Sequence, residues 1–245
     1  MKPLYDKIGV NYTDLRQPDR RIAQVINAAL RDAQSVLNVG AGTGSYEPTD
    51  RDVIAVEPSN EMIRKRSPSA AGAIQARAEY LPFSDNQFDA SMAILTIHHW
   101  SDKQAGLNEM RRVTRGPMVL LTFDPSHRPW LTDYLPELVA MDEAQMPTMG
   151  DFENWLGPVH IGPLLVPHDC TDGFLHAYWR RPEAYFDERI RSGSSSFWRI
   201  PDIESKLQRL RRDLNTGAWH RRHAALTTAT SYDAGYRLIV ATPTT

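Results

Sequence analysis

Apolar residues along this chain fall into short runs, separated by segments in which they recur every three or four positions. The first such segment, residues 19–31, places Ile22, Val25, Ile26 and Leu30 on one face of a predicted helix. The short runs that follow are rich in valine, isoleucine and leucine, as buried strands are. They predict strands at about 35–39, 52–56, 73–76, 89–95, 118–123, 159–166 and 236–241.

Strands and helices alternate through the first half of the chain, which is typical of an α/β fold with a doubly wound sheet. The chain has 245 residues, of which 41% are hydrophobic, and α/β domains of this size are often undivided. We therefore predict one domain over residues 1–245, with a seven-stranded sheet. Apolar positions from Ile203 to Leu214 predict a later helix that packs on the core, with Asp202 as its N-cap.

A turn rich in glycine follows the first predicted strand, in the sequence SVLNVGAGTGSY. Gly40, Gly42 and Gly44 alternate with other residues, and glycine tolerates positive φ and lets the backbone approach a ligand closely. The spacing is GxGxG, whereas dinucleotide sites use GxGxxG to bring a helix N-terminus under a pyrophosphate. The turn therefore favours a cofactor without a pyrophosphate.

An acidic residue ends the second predicted strand. Glu57 lies there, and Ser59 is a candidate N-cap for the helix that follows. A carboxylate at this position of a doubly wound sheet can accept hydrogen bonds from both ribose hydroxyls. The residues around Glu57 therefore predict a nucleoside site, to which the segment ARAEYLPF at 76–83 is expected to contribute.

These segments resemble the class I S-adenosylmethionine-dependent methyltransferases, and in particular the group similar to the ubiquinone and menaquinone biosynthesis methyltransferases. The matching pieces are VLNVGAGTG, VIAVEPSNEMI, ARAEYLPFSDNQFDA, AILTIHHW and NEMRRVTRG, within about residues 35–123. The resemblance implies the strand order 3-2-1-4-5-7-6 with an antiparallel last strand, and S-adenosyl-L-methionine as cofactor. It implies these cofactor-binding residues: Tyr12, Arg16, Asn38, Gly40, Ala41, Gly42, Glu57, Pro58, Met62, Ala78, Glu79 and Leu95.

Two positions depart from the family pattern. Asn38 stands where an acid is frequent, and Arg77 stands where an aspartate often contacts the adenine amino group. Because arginine only donates hydrogen bonds, Arg77 is interpreted as a solvated rim residue, and the adenine contact is assigned to the backbone around Ala78. Arg16 is expected to pair with the carboxylate of the cofactor's amino acid part.

Two insertions, residues 124–158 and 167–235, interrupt the late strands and are expected to cover the acceptor site as caps or lids. The second carries nine of the 22 aromatic residues of the chain. Those rings either form the insertion's own core or hold a planar acceptor between them. The predicted acceptor contacts are Tyr5, His99, Trp130, His168, Tyr178 and Trp179.

Methyl transfer needs a general base only when the acceptor carries a proton at the working pH. Histidine is the side chain best suited to that role near neutral pH, and the candidate catalytic residues are His98, His99 and His168. Each of these, like His127, has an alternative interpretation as a hydrogen-bonded structural histidine.

Composition narrows the class of partner. The net charge is −2 and the chain has a single cysteine, Cys170, so a basic nucleic-acid surface and a disulfide framework are not expected. No apolar run has membrane-spanning length, and no metal site is predicted. We expect a cytoplasmic monomer or homodimer that binds a small-molecule acceptor, without nucleic acid or membrane.

Three functions remain open at this point. The first is methyl transfer to an O or N atom of a small, planar or aromatic metabolite. The second is methylation of a protein or RNA, which is disfavoured because LTIHHW replaces the (N/D/S)PP(Y/F) motif at the fourth strand. The third is a relative that binds S-adenosylmethionine without catalysing transfer.

Overall fold

A seven-stranded mixed sheet forms the centre of the protein in the computed structural model, which describes residues 15–242. The strands within these residues are β1 Ser35–Val39, β2 Asp52–Val56, β3 Gly72–Ile74, β4 Ala90–Ile94, β5 Met118–Phe123, β6 Val159–Pro163, β7 Val166–Pro167, β8 Ser231–Tyr232 and β9 Tyr236–Ala241. The order in the sheet is β3-β2-β1-β4-β5-β9-β6, with β9 antiparallel to both of its neighbours. Because β7 and β8 lie outside this sheet, β9 is its seventh strand, and the predicted doubly wound sheet with the order 3-2-1-4-5-7-6 is confirmed.

The remaining two strands form a separate small ribbon. The predicted strand at 159–166 is in fact two elements, because β6 ends at Pro163 and β7 pairs with β8 instead of with the main sheet. The α-helices are α1 Arg20–Ala29, α2 Asn60–Arg64, α3 Lys103–Val113, α4 Glu137–Gln145, α5 Met149–Leu156, α6 Glu188–Arg191, α7 Ile203–Asn215, α8 Ala218–Arg222 and α9 Ala224–Thr228.

Both faces of the sheet are buried, which explains why its strands are apolar throughout. Successive residues of β1 point to opposite faces, so Val36 packs in the same cluster as α1, whereas Leu37 packs with α3. All six residues of β5 are buried. The face of the sheet that carries Val36 and packs against α1 is also covered by residues of the second insertion, including Trp179.

The helix ends follow the sequence signals in part. Asp19 caps α1 by accepting from the backbone N–H of Arg21, and Ser59 caps α2 by accepting from that of Met62. Val25, however, is 46% exposed and does not share the buried face of α1. Asp202 occupies the N-cap position of α7, as predicted, but it has a φ of 51° and its side chain makes no capping hydrogen bond.

The two insertions pack on each other and form a cluster of their own, which we call the cap cluster. Trp130 and Leu138 come from the first insertion, and Tyr185, Leu207 and Trp219 come from the second. Helix α7 therefore packs in the cap cluster, whereas the sequence pattern predicted that it packs on the main core.

Candidate functional site

A cleft of about 710 Å³, the main cleft, lies where β1, β2, β3 and β4 end at the carboxyl edge of the sheet. Ligands of open α/β sheets bind at this edge, and the volume falls within the roughly 300–1,000 Å³ of small-molecule sites. The structure brings together here Arg16, Asn38, Gly40, Ala41, Gly42, Glu57, Pro58, Met62, Ala78, Glu79, Leu95 and His99. Tyr5 and Tyr12 lie outside the described residues.

The glycine turn forms the floor of the main cleft. Gly40 has a φ of 70°, and its backbone N–H donates to the Val56 carbonyl at 2.8 Å. A Cβ atom added at Gly40 would lie 2.1 Å from the Thr96 hydroxyl. Glycine is therefore required at this position by both its backbone conformation and its packing against the end of β4.

Glu57 is held rigidly at the end of β2. One of its carboxylate oxygens accepts from the backbone N–H of Gly42 at 2.8 Å, and the other accepts from that of Ser59 at 2.9 Å. Burial raises the pKa of this carboxyl above its ordinary value, although the hydrogen bonds from the two backbone N–H groups act to lower it. Since a carboxylate oxygen has two lone pairs, each can still accept from a ribose hydroxyl.

A buried ion pair that the sequence motifs do not reveal supports the glycine turn. The guanidinium of Arg66 donates to both oxygens of Glu47 at 2.7 and 2.8 Å, and to the Gly42 carbonyl at 3.1 Å. The Asn38 amide nitrogen donates to Glu47 at 3.0 Å. The side-chain amide of Asn38 therefore helps to hold Glu47 in the ion pair that supports the glycine turn. An acid is frequent at this position in the family.

At the opposite end of the main cleft, Arg77 and Glu79 shape the rim. The Arg77 guanidinium, 61% exposed as a side chain, donates to the Ser101 hydroxyl at 2.5 Å. One Glu79 oxygen accepts from the backbone N–H groups of Ser101 and Asp102 at 2.7 and 3.1 Å. Glu79 therefore orders the loop before α3. The structure agrees with Arg77 as an exposed rim residue.

Arg16 occupies the wall of the main cleft, but its guanidinium is paired with the protein itself. It donates to Asp172 at 2.5 and 3.3 Å, and the Tyr46 hydroxyl donates to the same carboxylate at 2.8 Å. Asp172 is fully buried. The role predicted for Arg16, pairing with a cofactor carboxylate, stays a prediction, and its contact with Asp172 is a structural role that sequence reasoning missed.

Next to the main cleft lies a second space of about 80 Å³, the small cavity. Arg16 and Leu95 line both spaces. Leu95 has a φ of 52° directly after β4, a strained conformation for a leucine, of the kind that is found at functional sites. The other residues of the small cavity are His98, Thr122, Phe123, Asp142, Met146, Phe174, Leu175, Gly193, Ser194, Ser195, Ser196 and Tyr236.

The adjacent histidines after β4 divide between the two spaces. His99 lines the main cleft and His98 lines the small cavity, with their ring centroids 3.8 Å apart. Desolvation lowers the pKa of His98 well below its ordinary value and that of His99 to about 4, even though part of His99 is exposed to solvent. Both imidazoles are therefore neutral at pH 7, which makes them weak bases.

His168 and His127 lie elsewhere. The backbone N–H of His168 donates to the Thr230 carbonyl at 3.0 Å, beside the β7–β8 ribbon, and His168 lines neither the main cleft nor the small cavity. The His127 ring contacts the Asp233 carbonyl at 3.0 Å. The structure therefore gives His168 no contact with the site at which it was predicted to act.

Three predicted acceptor contacts, Trp130, Tyr178 and Trp179, are packing residues instead. Trp179 is 1% exposed, and its indole N–H donates to the Val166 carbonyl at 3.0 Å. The Trp130 indole donates to the Trp179 carbonyl at 2.9 Å, and the Tyr178 ring lies under the Arg181 guanidinium. None of the three lines the main cleft or the small cavity, because their rings are needed to fill the core.

The residue of the small cavity that sequence reasoning missed most clearly is Asp142. It lies on α4, is 9% exposed, and burial raises the pKa of its carboxyl to about 7. No motif marks it, since it stands in the ordinary helical sequence ELVAMDEAQ. Only the packing of α4 over the end of β5 reveals that this carboxylate is buried.

The described residues hold neither a cluster of metal ligands nor a membrane-spanning helix. In the part of the chain that the structure describes, no three histidine, cysteine, aspartate or glutamate side chains are grouped so that they could hold a metal ion. Among residues 15–242, no helix is both long enough and apolar enough to cross a bilayer.

The sheet topology and the cleft at its carboxyl edge define a protein of the methyltransferase fold class. Residues 37–118 match a family model described as a methyltransferase domain. A putative methyltransferase from an antibiotic biosynthesis pathway of Anabaena variabilis is 36% identical, with a TM-score of 0.85, over 94% of this chain and 99% of that one. The chain belongs to the class I S-adenosylmethionine-dependent methyltransferases, whose cofactor is S-adenosyl-L-methionine.

Curated relatives match a shorter region. A demethylmenaquinone methyltransferase of Renibacterium salmoninarum is 35% identical over 115 residues, which cover 43% of this chain and 48% of the relative. One from Paenarthrobacter aurescens is 32% identical over 146 residues, covering 54% of this chain and 57% of the relative. The chain spans about half the length of the curated relatives it matches.

Proposed function

We propose that this protein transfers the methyl group of S-adenosylmethionine to an O or N atom of a small, planar or aromatic metabolite. The observation that carries the proposal is the small cavity beside the main cleft, with Arg16 and Leu95 common to both. The two spaces therefore adjoin at these residues, where the reacting atom of an acceptor would meet the methyl group of the cofactor.

The main cleft fits the cofactor by its chemistry. The Glu57 carboxylate has lone pairs for the ribose hydroxyls, and Gly42 leaves space for a ligand, because a Cβ added there meets only the end of Met62, at 3.6 Å. The backbone around Ala78 is assigned to the adenine. When bound, the cofactor supplies an activated methyl group on a positively charged sulfur.

The walls of the small cavity favour a flat acceptor. Phe123 and Phe174 each make an edge-to-face contact with Tyr236, with ring centroids 5.6 and 4.8 Å apart. Its 80 Å³ is about half of the roughly 150 Å³ that encloses a benzene molecule in a protein core. The small cavity would therefore hold the reacting end of the acceptor.

The protein's task in this reaction is positioning. A correctly aligned nucleophile and methyl group gain much of the rate from proximity alone, so the chain needs a rigid floor and walls more than a set of reactive side chains. The Glu47–Arg66 pair behind the glycine turn and the buried Asp172 behind Arg16 supply that rigidity.

The names of the relatives support a metabolite as acceptor. The Anabaena variabilis protein, which is similar over 94% of this chain, is described as coming from an antibiotic biosynthesis pathway, and the shorter matches include demethylmenaquinone methyltransferases. We place the enzyme in biosynthesis and expect it to act in the cytoplasm.

The test is a release assay for S-adenosylhomocysteine with a panel of phenols, arylamines and nitrogen heterocycles, with mass spectrometry to find products one methyl group heavier. Glu57→Ala serves as the variant with weakened cofactor binding. We expect at least one class of acceptor to be methylated by the wild type. Cofactor binding without any methylated panel member, or methyl incorporation into protein or RNA instead, would overturn the proposal.

A further inference from the structure

A buried carboxylate faces the small cavity and has no partner among residues 15–242. Asp142 is 9% exposed and lines the cavity. Within residues 15–242, no hydrogen bond or close ion pair joins its side chain to another group, and the nearby Arg128 is bound to Glu143 instead. Burying a charged group costs several kcal/mol unless it is paired, so a ligand group in the small cavity that pairs with this carboxylate would offset that cost.

The surrounding charges do not neutralise Asp142. Arg128 lies near enough to lower the pKa of Asp142. However, Arg128 is hydrogen-bonded to Glu143, and the charge of Glu143 raises the pKa of Asp142. Across the small cavity, Arg16 is paired with Asp172. Burial keeps both other facing groups uncharged, because it lowers the pKa of His98 and raises that of Tyr236.

Asp142 is also the strongest base among the ionisable groups that line the small cavity. The neutral His98 holds a proton poorly at pH 7, while the hydroxyl of a neutral tyrosine is a very weak proton acceptor and arginine has no acceptor atom. A general base works best when its pKa lies near the operating pH, and burial brings the pKa of Asp142 to about 7.

Building on the proposed function, we propose that Asp142 is the general base that accepts the proton of the acceptor's nucleophilic O–H or N–H group. The acceptor atom forms a bond to the methyl carbon while the bond from that carbon to the cofactor sulfur breaks, with its electron pair passing to sulfur. The proton moves from the acceptor to the Asp142 carboxylate and then to water. The products are the methylated acceptor, S-adenosylhomocysteine and one proton.

The variant that tests this is Asp142→Asn, which keeps the shape of the side chain and removes the base. With a hydroxyl or protonated amine acceptor, kcat should fall about 100-fold to 10,000-fold, whereas the dissociation constant for S-adenosylhomocysteine, measured by calorimetry, should stay within twofold. Glu153→Gln, which removes an exposed charge from the neighbouring helix α5, is the matched control and should keep wild-type kcat.

The acceptor panel itself separates proton removal from packing. A pyridine-type nitrogen carries no proton near neutral pH, so Asp142→Asn should methylate such an acceptor at nearly the wild-type rate. The wild-type rate with a hydroxyl acceptor should rise with pH through about 7, and the Asp142→Asn variant should lack that rise. Equal losses for both acceptors, or a loss below threefold for the hydroxyl, would overturn the role of Asp142.

A second measurement needs no acceptor. Titration of the protein labelled with carbon-13 at aspartate carboxyls should show one resonance with a midpoint near pH 7, which is absent in Asp142→Asn. A midpoint in the ordinary aspartate range would contradict the proposal. If the wild type methylates nothing in the panel, the proposed function fails, while this titration still decides whether Asp142 is poised to take a proton.

Discussion

The burial of Asp142 has a consequence for stability that can be calculated. Its pKa is about 7 in the folded protein against an ordinary value of 3.8, and each unit of difference corresponds to about 1.4 kcal/mol. Between these two values the folded chain holds a proton that the unfolded chain has released. The free energy of unfolding therefore falls as the pH rises, and above pH 7 the loss reaches about 4 kcal/mol.

Asp142→Asn removes this ionisation while preserving the shape of the side chain. Urea unfolding of the wild type and the variant at pH 5 and pH 8 measures the difference in free energy of unfolding. We expect the variant to be more stable by about 4 kcal/mol at pH 8 and by about 2 kcal/mol at pH 5. Glu153→Gln, which changes an exposed residue and retains Asp142, should lose stability between pH 5 and pH 8 as the wild type does.

The same experiment can refute the reasoning. If the wild type and Asp142→Asn unfold at the same urea concentration at both pH values, the carboxylate is well solvated or paired in the folded protein. Asp142 would then need no ligand group to complete it. A variant that is less stable at pH 8 would point to a favourable partner for the ionised carboxylate.

Three other substitutions test the remaining parts of the site. In Gly40→Ala, the added Cβ would lie 2.1 Å from the Thr96 hydroxyl at a φ of 70°, so we expect a lower melting temperature and weaker cofactor binding by calorimetry; wild-type values for both would contradict this account of the turn. Glu57→Ala removes the carboxylate proposed to accept from both ribose hydroxyls, in hydrogen bonds each worth about 1.5 to 3 kcal/mol, and should raise the cofactor dissociation constant at least tenfold; an unchanged constant in a folded variant would disprove the ribose assignment. Trp179→Ala opens a cavity in the core and should cost about 3 to 5 kcal/mol of stability, with cofactor binding and turnover falling together; selective loss of acceptor turnover would restore Trp179 as an acceptor contact.

The main cleft could be predicted from the sequence because its parts are local. Most of its lining comes from short segments directly after a strand, such as residues 40–46 after β1 or Glu57 after β2. A strand fixes the direction of the residues that follow it, and parallel strands end at the same edge of the sheet. Once the strands are located in the sequence, the positions of these residues follow.

The small cavity could not be predicted in this way. Its walls come from segments far apart in sequence, including Leu95, Phe123, Asp142, Phe174 and Tyr236. Their proximity depends on how the two insertions pack over the sheet, and hydrophobic patterns do not determine that packing. The sequence of an insertion does not show whether an aromatic ring belongs to a hydrophobic core or to the wall of a binding site. For this reason the sequence predicts Trp179 as an acceptor contact, although its ring is buried in the core.

The wall that borders both spaces is built by residues 15–16 together with the second insertion. Arg16 faces both spaces and is anchored by Asp172, while the Leu15 carbonyl accepts from the backbone N–H of Gly173 at 2.8 Å. Breaking a buried ion pair by removing one partner typically costs about 3 to 5 kcal/mol, so this wall is stiff. Because the second insertion holds Arg16 in place, we expect a change in its packing to shift Arg16 and, under the proposed function, to disturb the alignment of the acceptor with the methyl group.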